Sequence, residues 1–474
     1  MLPHHIHPVR GPRRWRGSPD VTSGLASNGV HCIGIGGIGV SALARLYRAG
    51  GFRVTGSDLV RSEITEALVK EGIRVFIGTH GRKHILPSVT RVVYSAAVRR
   101  NNPELREAQH RGIPCQTYAQ ALGELTRGFK TIAVAGSHGK STTTAMIALV
   151  MTRAGLDPTV IVGTKLKEFG PPAGGSNFRL GRSPYLVIEA DEYHGSFWNY
   201  RPWLAVVTSI DREHIDFYQN IAGVTQGFKK FIKGVAPDGH LILNADDARL
   251  KRISQSATQL PRNRVHWFSR RNREAPMLRR TLRIPGQHNV ANALAAYRVG
   301  EILGIPRRRI VKALAAYRGS WRRFDYQGAL HGAKVFADYA HHPTEVKATL
   351  EAAREKFPKR RIWCVFQPHH YERTHDLFKE FSRAFRDCDA LILLDIYEVA
   401  GRERTQKSRT VNSETLAAAV SRHGTPALYV AHPARLRPFL RKSLRPGDVL
   451  LMMGAGSIWE MTKALMRSKI KDQN

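Results

Sequence analysis

The strongest constraint on the fold is a pair of glycine-rich turns, each of which lies between a short apolar run and a segment of helix length. The first turn is GIGGIG at residues 34–39, and the second is AGSHGKSTT at residues 135–143. Glycines let the backbone turn tightly and approach a phosphate at the N-terminus of the following helix. Two such turns predict at least two α/β domains, each with an anion site at the end of a strand.

The first turn offers Gly34, Gly36, Gly37 and Gly39 as its candidate ligand contacts. Asp58 ends the next apolar run, 19 residues after Gly39, where its carboxylate can bond a ribose hydroxyl. Taken alone, this pattern favours NAD among dinucleotide-like ligands, and a purely structural glycine turn is the other interpretation.

The second turn contains Gly136 and Gly139, which are two residues closer together than the glycines of the common P-loop. Its amides can hold phosphates, Lys140 can reach the β and γ oxygens, and the Ser141 hydroxyl can ligate Mg²⁺. A lysine followed by the hydroxyl residues Ser141, Thr142 and Thr143 makes a turn without a nucleotide the weaker interpretation. We therefore predict a phosphate-binding site.

Two further residues are candidate metal ligands. Glu189 ends the apolar run YLVIE, and His214 follows the run LAVVTSID. Neighbouring parallel strands bring such residues to one edge of a sheet, and phosphates can supply the remaining ligands of Mg²⁺. Two phosphate sites fit a dehydrogenase poorly and favour an enzyme that joins a nucleotide-linked substrate to a second molecule at the expense of ATP.

The apolar runs alternate with helix-length segments along nearly the whole chain, which is typical of parallel sheets covered by helices. One amphipathic segment, HDLFKEFSRAF at residues 375–385, has apolar residues at helical spacing. At about 150 residues per domain, 474 residues predict three domains. The predicted divisions are a disordered basic extension at 1–28 and α/β domains at 29–127, 128–318 and 319–474.

Composition limits the class of protein. Hydrophobic residues make up 42% of the chain, which is typical of a folded protein. No apolar run approaches the roughly 18 to 20 residues of a membrane span, and the N-terminus lacks the apolar core of a signal peptide, so we expect a cytoplasmic protein. The net charge of +36 leaves a nucleic-acid-binding protein as an alternative, although no nucleic-acid motif accompanies the basic residues.

The motifs resemble, in order, those of the Mur ligases, the ATP-dependent amino-acid ligases of peptidoglycan synthesis. The resemblance covers residues 30 to about 468. It rests on GIGGIGVSALA, GSD, SAAVRRNNPE, GSHGKSTTTAM, EADE, TSIDREHID, PGQHNVANALAA, RRFD, DYAHHPTEV, FQPHHYERT and MGAGSI. It implies a Rossmann-like N-terminal domain, a central P-loop-type ATPase domain and a Rossmann-like C-terminal ligase domain.

The resemblance also implies roles for individual residues. The first turn, with Asp58 and Ser95, becomes a UDP-sugar site rather than an NAD site. Ser141, Glu189 and His214 become ligands of Mg²⁺, or of Mn²⁺. The implied ATP contacts are Gly136, Ser137, His138, Gly139, Lys140, Ser141, Thr142, His288, Asn289, Asn292 and Asp338.

The implied reaction joins L-alanine to the lactyl carboxylate of UDP-N-acetylmuramate through an acyl phosphate. Lys140, magnesium and an arginine neutralise the transferring phosphoryl group. The implied catalytic residues are Lys140, His341 as the base, Arg323 and Arg373, with His369 facing the substrates. A related ligase that attaches a whole tripeptide is the alternative within the family, and the resemblance leaves a monomer or a homodimer open.

Overall fold

The computed structural model describes residues 28–170, 175–398 and 407–467. The extension predicted at residues 1–28 lies, apart from Asn28, outside the described residues. The chain divides into two compact units: Met1–Trp267 with Arg298–Ile305, here unit 1, and Phe268–Tyr297 with Pro306–Asn474, here unit 2. The α/β fold with mainly parallel sheets that the sequence predicts is confirmed.

The first sheet of unit 1 has five described strands in the order β3-β2-β1-β4-β5, and all of its ladders are parallel. The order reverses between β1 and β4, where open α/β sheets bind their ligands. The strands are β1 Gly29–Ile33, β2 Arg53–Asp58, β3 Arg74–Ile77, β4 Val89–Tyr94 and β5 Cys115–Thr117. The helices are α1 Ile38–Ala49, α2 Glu63–Lys70, α3 Pro103–His110 and α4 Tyr118–Thr126.

The second sheet has seven strands among the described residues, in the order β12-β11-β10-β6-β9-β7-β8, and its β7–β8 ladder is antiparallel. The strands are β6 Lys130–Ala135, β7 Thr159–Leu166, β8 Ser176–Arg179, β9 Tyr185–Glu189, β10 Leu204–Val207, β11 His240–Asn244 and β12 Val265–Phe268. The helices from this part of the chain to residue 315 are α5 Lys140–Arg153, α6 Ile215–Tyr218, α7 Ile221–Lys233, α8 Ala248–Ala257, α9 Ala275–Thr281, α10 Gln287–Ile302 and α11 Arg307–Ala315.

The two sheets of unit 1 share one hydrophobic core. Buried apolar residues of α1 and α4 belong to the same cluster as residues of β6, β10 and α7. α4 packs closely on the segment between β9 and β10, because a Cβ on Gly123 of α4 would lie 2.6 Å from the carbonyl oxygen of Asn199. Continuous burial of this kind stabilises the two sheets as one body.

The sheet of unit 2 has six described strands in the order β13-β14-β18-β15-β16-β17, and only the β13–β14 ladder among them is antiparallel. The strands are β13 Asp325–Leu330, β14 Ala333–Asp338, β15 Ile362–Phe366, β16 Ala390–Leu393, β17 Ala427–Tyr429 and β18 Val449–Met453. The helices are α12 Pro343–Lys356, α13 Tyr371–Asp376, α14 Phe378–Phe381, α15 Ser413–Arg422, α16 Pro433–Ser443 and α17 Ile458–Arg467.

One helix prediction is wrong in extent. The segment 375–385 contains the end of α13 and the four-residue α14, and it continues as turns instead of one long helix. Its apolar residues are nevertheless inside, since Leu377, Phe381 and Phe385 are buried against the sheet. The helical spacing therefore predicted which side chains are buried, whereas tertiary packing determined where the helices end.

Candidate functional site

The first glycine loop, here the first cradle, connects β1 to α1 through Gly34–Gly37. The carbonyl oxygen of Ser57 accepts hydrogen bonds from the amides of Gly34 at 2.8 Å and Ile35 at 3.0 Å. Asp58 Oδ2 accepts one from the Gly36 amide at 2.8 Å. The loop is thus attached to the end of β2 by three consecutive amides, and Asp58 uses one carboxylate oxygen to hold it.

The structure brings the predicted sugar-nucleotide residues together at the carboxyl edge of the first sheet. Gly34 has a φ of +74°, and a Cβ there would lie 3.0 Å from the Cβ of Ser95. The Ser95 amide donates to the carbonyl oxygen of Ile33 at 3.0 Å. Gly34, Ser95 and Asp58 therefore surround the end of β1, at the point where the strand order reverses.

The second glycine loop, here the second cradle, connects β6 to α5. The Ser137 amide donates to the carbonyl oxygen of Ser209 at 2.9 Å, and the His138 amide donates to Ser209 Oγ at 3.1 Å. His138 Nε2 also lies 2.9 Å from Asp211 Oδ2. These contacts hold the loop against the segment that follows β10. The first amides of the 14-residue α5 form an anion site of the kind found at helix N-termini.

Lys140 lies inside the second cradle. Its ammonium is 2.7 Å from Glu192 Oε2 and 2.8 Å from the carbonyl oxygen of Gly136. Burial opposes the charged ammonium, but the nearby carboxylates, led by Glu192, outweigh burial and raise the pKa of Lys140. Glu192 is fully buried, and burial raises the pKa of its carboxyl while the Lys140 charge opposes that rise. Glu192 lies in the EADE motif, but its contact with Lys140 was not predicted from the sequence.

The predicted metal ligands form two contacts in the structure. Ser141 Oγ donates to Glu189 Oε1 at 3.0 Å, and the Gly163 amide donates to Glu189 Oε2 at 2.8 Å. Burial raises the pKa of Glu189, and Lys140 opposes the rise. His214 has a ligand atom within 4.8 Å of one from each of Asp191 and Glu192. Hydroxyl and carboxylate oxygens are the donors that Mg²⁺ prefers, so the residues present fit that ion.

Tyr118, the first residue of α4, interacts with residues of both cradles. A Cβ on Gly39 would lie 2.7 Å from Tyr118 Cζ, so the ring packs directly on the first turn of α1. Burial raises the pKa of the Tyr118 hydroxyl, and the charges of Glu189 and Asp191 raise it further. The Tyr118 ring therefore contacts the first cradle, and its hydroxyl is influenced by the charges of acids of the second cradle. No local sequence signal marked this tyrosine.

Unit 2 contains the other predicted ATP contacts. Asn289 Nδ2 donates to the carbonyl oxygen of Pro285 at 2.6 Å, and Asn292 Nδ2 lies 3.4 Å from Asn289 Oδ1. A Cβ on Gly286 would lie 2.6 Å from the His288 ring, so the start of α10 is closely packed. Asp338 is buried, and its Oδ2 accepts a hydrogen bond from the Phe324 amide at 2.7 Å.

Of the predicted catalytic residues of unit 2, His341 and Arg323 lie on loops, and Arg373 lies in α13. His341 Nδ1 is 3.1 Å from the carbonyl oxygen of Tyr339 and 3.2 Å from Glu345 Oε2, so a proton on Nδ1 leaves the Nε2 lone pair to act as a base. Arg323 Nη1 is 4.0 Å from Glu345 Oε1. The ring centroid of His369 is 5.9 Å from that of His341.

His369 also has two partners of its own. Its Nδ1 lies 3.3 Å from Arg373 Nη1, and its ring stacks on Tyr397 with centroids 5.6 Å apart. The structure therefore brings together the two residues predicted from FQPHHYERT and adds Tyr397, which the sequence analysis missed because it lies 28 residues beyond His369.

Family models match three stretches of the chain. They are the Mur ligase family catalytic domain at residues 29–130, the Mur ligase middle domain at 134–300 and the Mur ligase glutamate ligase domain at 322–456. The chain belongs to the Mur ligase family.

Curated relatives are similar over nearly the full length. The chain is 38% identical over 460 residues to a UDP-N-acetylmuramate--L-alanine ligase of Alkaliphilus metalliredigens, covering 93% of this chain and 97% of that protein. It is 41% identical over 447 residues to a protein of the same name from a strain of Anaeromyxobacter, covering 90% and 95%.

Solved structures share the fold. A UDP-N-acetylmuramate-alanine ligase from Thermotoga maritima matches with a TM-score of 0.76 at 24% identity, covering 94% of this chain and 99% of that one. A murein peptide ligase from Psychrobacter arcticus matches with a TM-score of 0.66 at 22% identity, covering 93% and 98%. Within residues 28–170, 175–398 and 407–467, the helices are too short or too polar to cross a membrane.

Proposed function

We propose that this chain joins L-alanine to the lactyl carboxylate of UDP-N-acetylmuramate at the expense of ATP, in peptidoglycan precursor synthesis. The observation that carries the proposal is the presence of two differently built phosphate cradles in unit 1, only the second of which has a lysine within its loop. The names of the full-length relatives support the same pair of substrates.

The proposed chemistry follows from the charges available. The first amides of α1, which follow the loop amides bonded to β2, hold the diphosphate of the sugar nucleotide, and the first amides of α5 hold the phosphates of ATP. The Lys140 ammonium neutralises charge on the γ-phosphoryl group as the lactyl carboxylate attacks phosphorus and ADP leaves. The alanine amine then attacks the carbonyl of the acyl phosphate, and inorganic phosphate leaves.

A divalent cation is part of the proposal. Ser141, Glu189 and His214 would hold Mg²⁺, with Mn²⁺ as the alternative ion, and their oxygen and imidazole donors suit an ion whose other ligands are phosphates. When bound, the ion supplies neutralisation of phosphate charge. Glu189 prepares the site by holding the Ser141 hydroxyl, and the Gly163 amide fixes the orientation of the Glu189 carboxylate.

Residues of unit 2 supply the remaining proposed functions. His341 accepts the proton of the alanine amine through Nε2, because Nδ1 faces the carbonyl oxygen of Tyr339. Arg323 and Arg373 stabilise anionic groups, and His369, stacked on Tyr397, faces the substrates. His288, Asn289, Asn292 and Asp338 remain the predicted nucleotide contacts.

The proposal also includes organisation and location. The functional domains are 29–127, 128–318 and 319–474, with a basic extension before them. We propose that the protein acts in the cytoplasm, where its nucleotide substrates are made, as a monomer or a homodimer.

A coupled assay of ADP formation tests the proposal. We expect turnover only when ATP, Mg²⁺, UDP-N-acetylmuramate and L-alanine are all present. Turnover with a tripeptide but not with L-alanine would indicate the recycling ligase instead. Binding of DNA or RNA that needs no ATP, weakens steeply with salt and survives Lys140→Ala would favour the nucleic-acid-binding alternative.

A further inference from the structure

A buried carboxylate outside the two cradles gathers an unusual set of partners. Glu104, in the first turn of α3, has no exposed surface. Its Oε1 lies 2.6 Å from His84 Nδ1 and 3.1 Å from His80 Nδ1. Its Oε2 accepts a hydrogen bond from Ser57 Oγ at 2.5 Å and lies 3.0 Å from His31 Nε2. These five residues are here named the Glu104 cluster.

The cluster keeps Glu104 ionised. Burial alone would favour the protonated acid, but the hydrogen bonds from His31, Ser57 and His84 overcome it and lower the pKa of Glu104 to about 2. An ionised buried carboxylate is costly unless several donors satisfy it. Here the donors come from β1, from β2 and from the segment after β3, so a single charge connects several elements at one side of the first sheet.

Ser57 connects this cluster to the first cradle. Its hydroxyl donates to Glu104 and lies 3.2 Å from His80 Nδ1. Its carbonyl oxygen accepts the amides of Gly34 and Ile35. The next residue, Asp58, accepts the Gly36 amide, so a shift of Ser57 would move the oxygens that hold three consecutive loop amides.

His31 connects the Glu104 cluster to a second residue of β2, Thr55. His31 Nδ1 lies 2.9 Å from Thr55 Oγ1, and Thr55 is two residues before Ser57 on the same strand. The side chains of Thr55 and Ser57 point to the same face of β2, as residues two apart on a strand do. Only Ser57 accepts loop amides with its carbonyl oxygen, which makes Thr55 a matched internal control.

We propose that Glu104 is a positioning residue that fixes the first cradle through Ser57, and thereby sets the affinity of this cradle for the diphosphate of a sugar nucleotide. The ligand class rests on the proposed function. Glu104 does not contact the ligand. Its effect reaches the loop through one hydroxyl and one backbone carbonyl, so it affects binding of the nucleotide-linked substrate and leaves the second cradle unchanged.

The test compares Ser57→Ala with Thr55→Val in the full-length chain. Calorimetry with UDP as the probe gives the affinity of the first cradle, and steady-state assays give KM for UDP-N-acetylmuramate and for ATP. We expect Ser57→Ala to weaken UDP binding and raise KM for the sugar nucleotide by about tenfold, the value of a hydrogen bond to a charged group. In Ser57→Ala, KM for ATP should stay within about twofold of wild type. In Thr55→Val, UDP affinity and KM for UDP-N-acetylmuramate should also stay within about twofold of wild type.

Glu104→Gln is the second variant, and thermal unfolding of each variant reports whether it folds. It should shift UDP affinity in the same direction as Ser57→Ala without changing KM for ATP. Equal losses from Ser57→Ala and Thr55→Val, or unchanged UDP affinity in Ser57→Ala, would overturn the proposal. A wild-type protein that binds UDP but forms no ADP would refute the ligase function alone, and one that binds no UDP would refute both.

Discussion

A fully buried glutamate accompanies each of the two cradles, and the two glutamates are held in opposite ways. Four side-chain donors surround Glu104, and its pKa falls to about 2. Glu192 has one oxygen on Lys140, while its Oε1 has no hydrogen-bond partner among the described residues, and burial raises its pKa. At Glu104 the hydrogen bonds from His31, Ser57 and His84 outweigh burial, whereas at Glu192 burial and the nearby charge of Asp191 outweigh the charge of Lys140.

The different surroundings of Glu104 and Glu192 agree with the different functions proposed for the two cradles. GIGGIG contains no charged residue, whereas AGSHGKSTT contains a lysine. A diphosphate that is only held can be bound by backbone amides, but a phosphoryl group that is transferred needs a cation where charge develops. Both carboxylate oxygens of Glu104, which supports the first cradle, have side-chain partners. In the second cradle, Lys140 can exchange its contact with the Glu192 carboxylate for one with a phosphate.

Removing the cation should have the largest effect. Lys140→Ala is expected to lower kcat/KM by at least about 10³-fold, because the transferring phosphoryl group loses its nearest protein charge. UDP affinity should not change, since the first cradle is intact. Lys347→Ala, which removes an exposed lysine paired with Glu351, serves as the control and should retain activity. A Lys140→Ala enzyme with wild-type turnover would contradict the assignment of the second cradle.

Substituting Glu192, the partner of Lys140, tests how much the buried ion pair contributes to the free energy of unfolding. Glu192→Gln is expected to lower the free energy of unfolding by about 3 kcal/mol, because it leaves the Lys140 ammonium buried without its closest counter-charge. Denaturant titration measures this loss. The exposed Glu351→Gln should cost less than about 1 kcal/mol, and a similar cost for both variants would show that the buried pair is not special.

A methyl group in the first cradle should act selectively. A Cβ on Gly36 would lie 2.8 Å from Asp58 Oδ2, so Gly36→Ala must displace the carboxylate that holds the loop. We expect KM for UDP-N-acetylmuramate to rise about tenfold and KM for ATP to stay unchanged. Gly81→Ala is the matched control, because its nearest non-neighbouring atom would be 3.8 Å away. Equal increases in both KM values would mean that the cradles are not independent.

The smallest expected effect is a pH dependence from Glu104. Its pKa is about 2 in the folded chain against an ordinary value of 4.5, so its stabilisation is present above pH 4.5 and is lost as the pH falls toward 2. The difference in unfolding free energy between wild type and Glu104→Gln should therefore narrow by about 1 kcal/mol from pH 7 to pH 4. A difference that is independent of pH over this range would contradict an ionised Glu104.

Local patterns predicted much of the fold. The strands that carry the cradles, β1 and β6, and the helices that follow them lie where apolar runs and glycines predicted. The antiparallel β7–β8 pair, whose Gly163 amide orients Glu189, was not predicted from the sequence. The apolar residues of 375–385 have helical spacing, but this segment contains the four-residue α14 followed by turns. Periodicity indicates which residues are buried, but packing against the rest of the domain decides how far a helix continues.

The candidate site was predictable to the same degree. The glycine loops, Lys140, Ser141 and Glu189 could be predicted as site residues because they lie in short, contiguous sequence motifs. Glu104 lies in the motif SAAVRRNNPE, but no role was predicted for it, and Tyr118 lies outside the motifs of the family resemblance. Their importance depends on side chains that meet across the fold, such as the Tyr118 ring on Gly39.

The sequence by itself determined the order of the α/β segments, the two glycine-rich loops and the membership of the Mur ligase family, because each of these depends on residues that are close together in the chain. Only the tertiary structure decided which carboxylate supports which loop. Glu104 meets Ser57 across 47 residues, and Lys140 meets Glu192 across 52. Charge states in a protein interior depend on burial and on the count of donors, and both quantities exist only once distant segments have packed together.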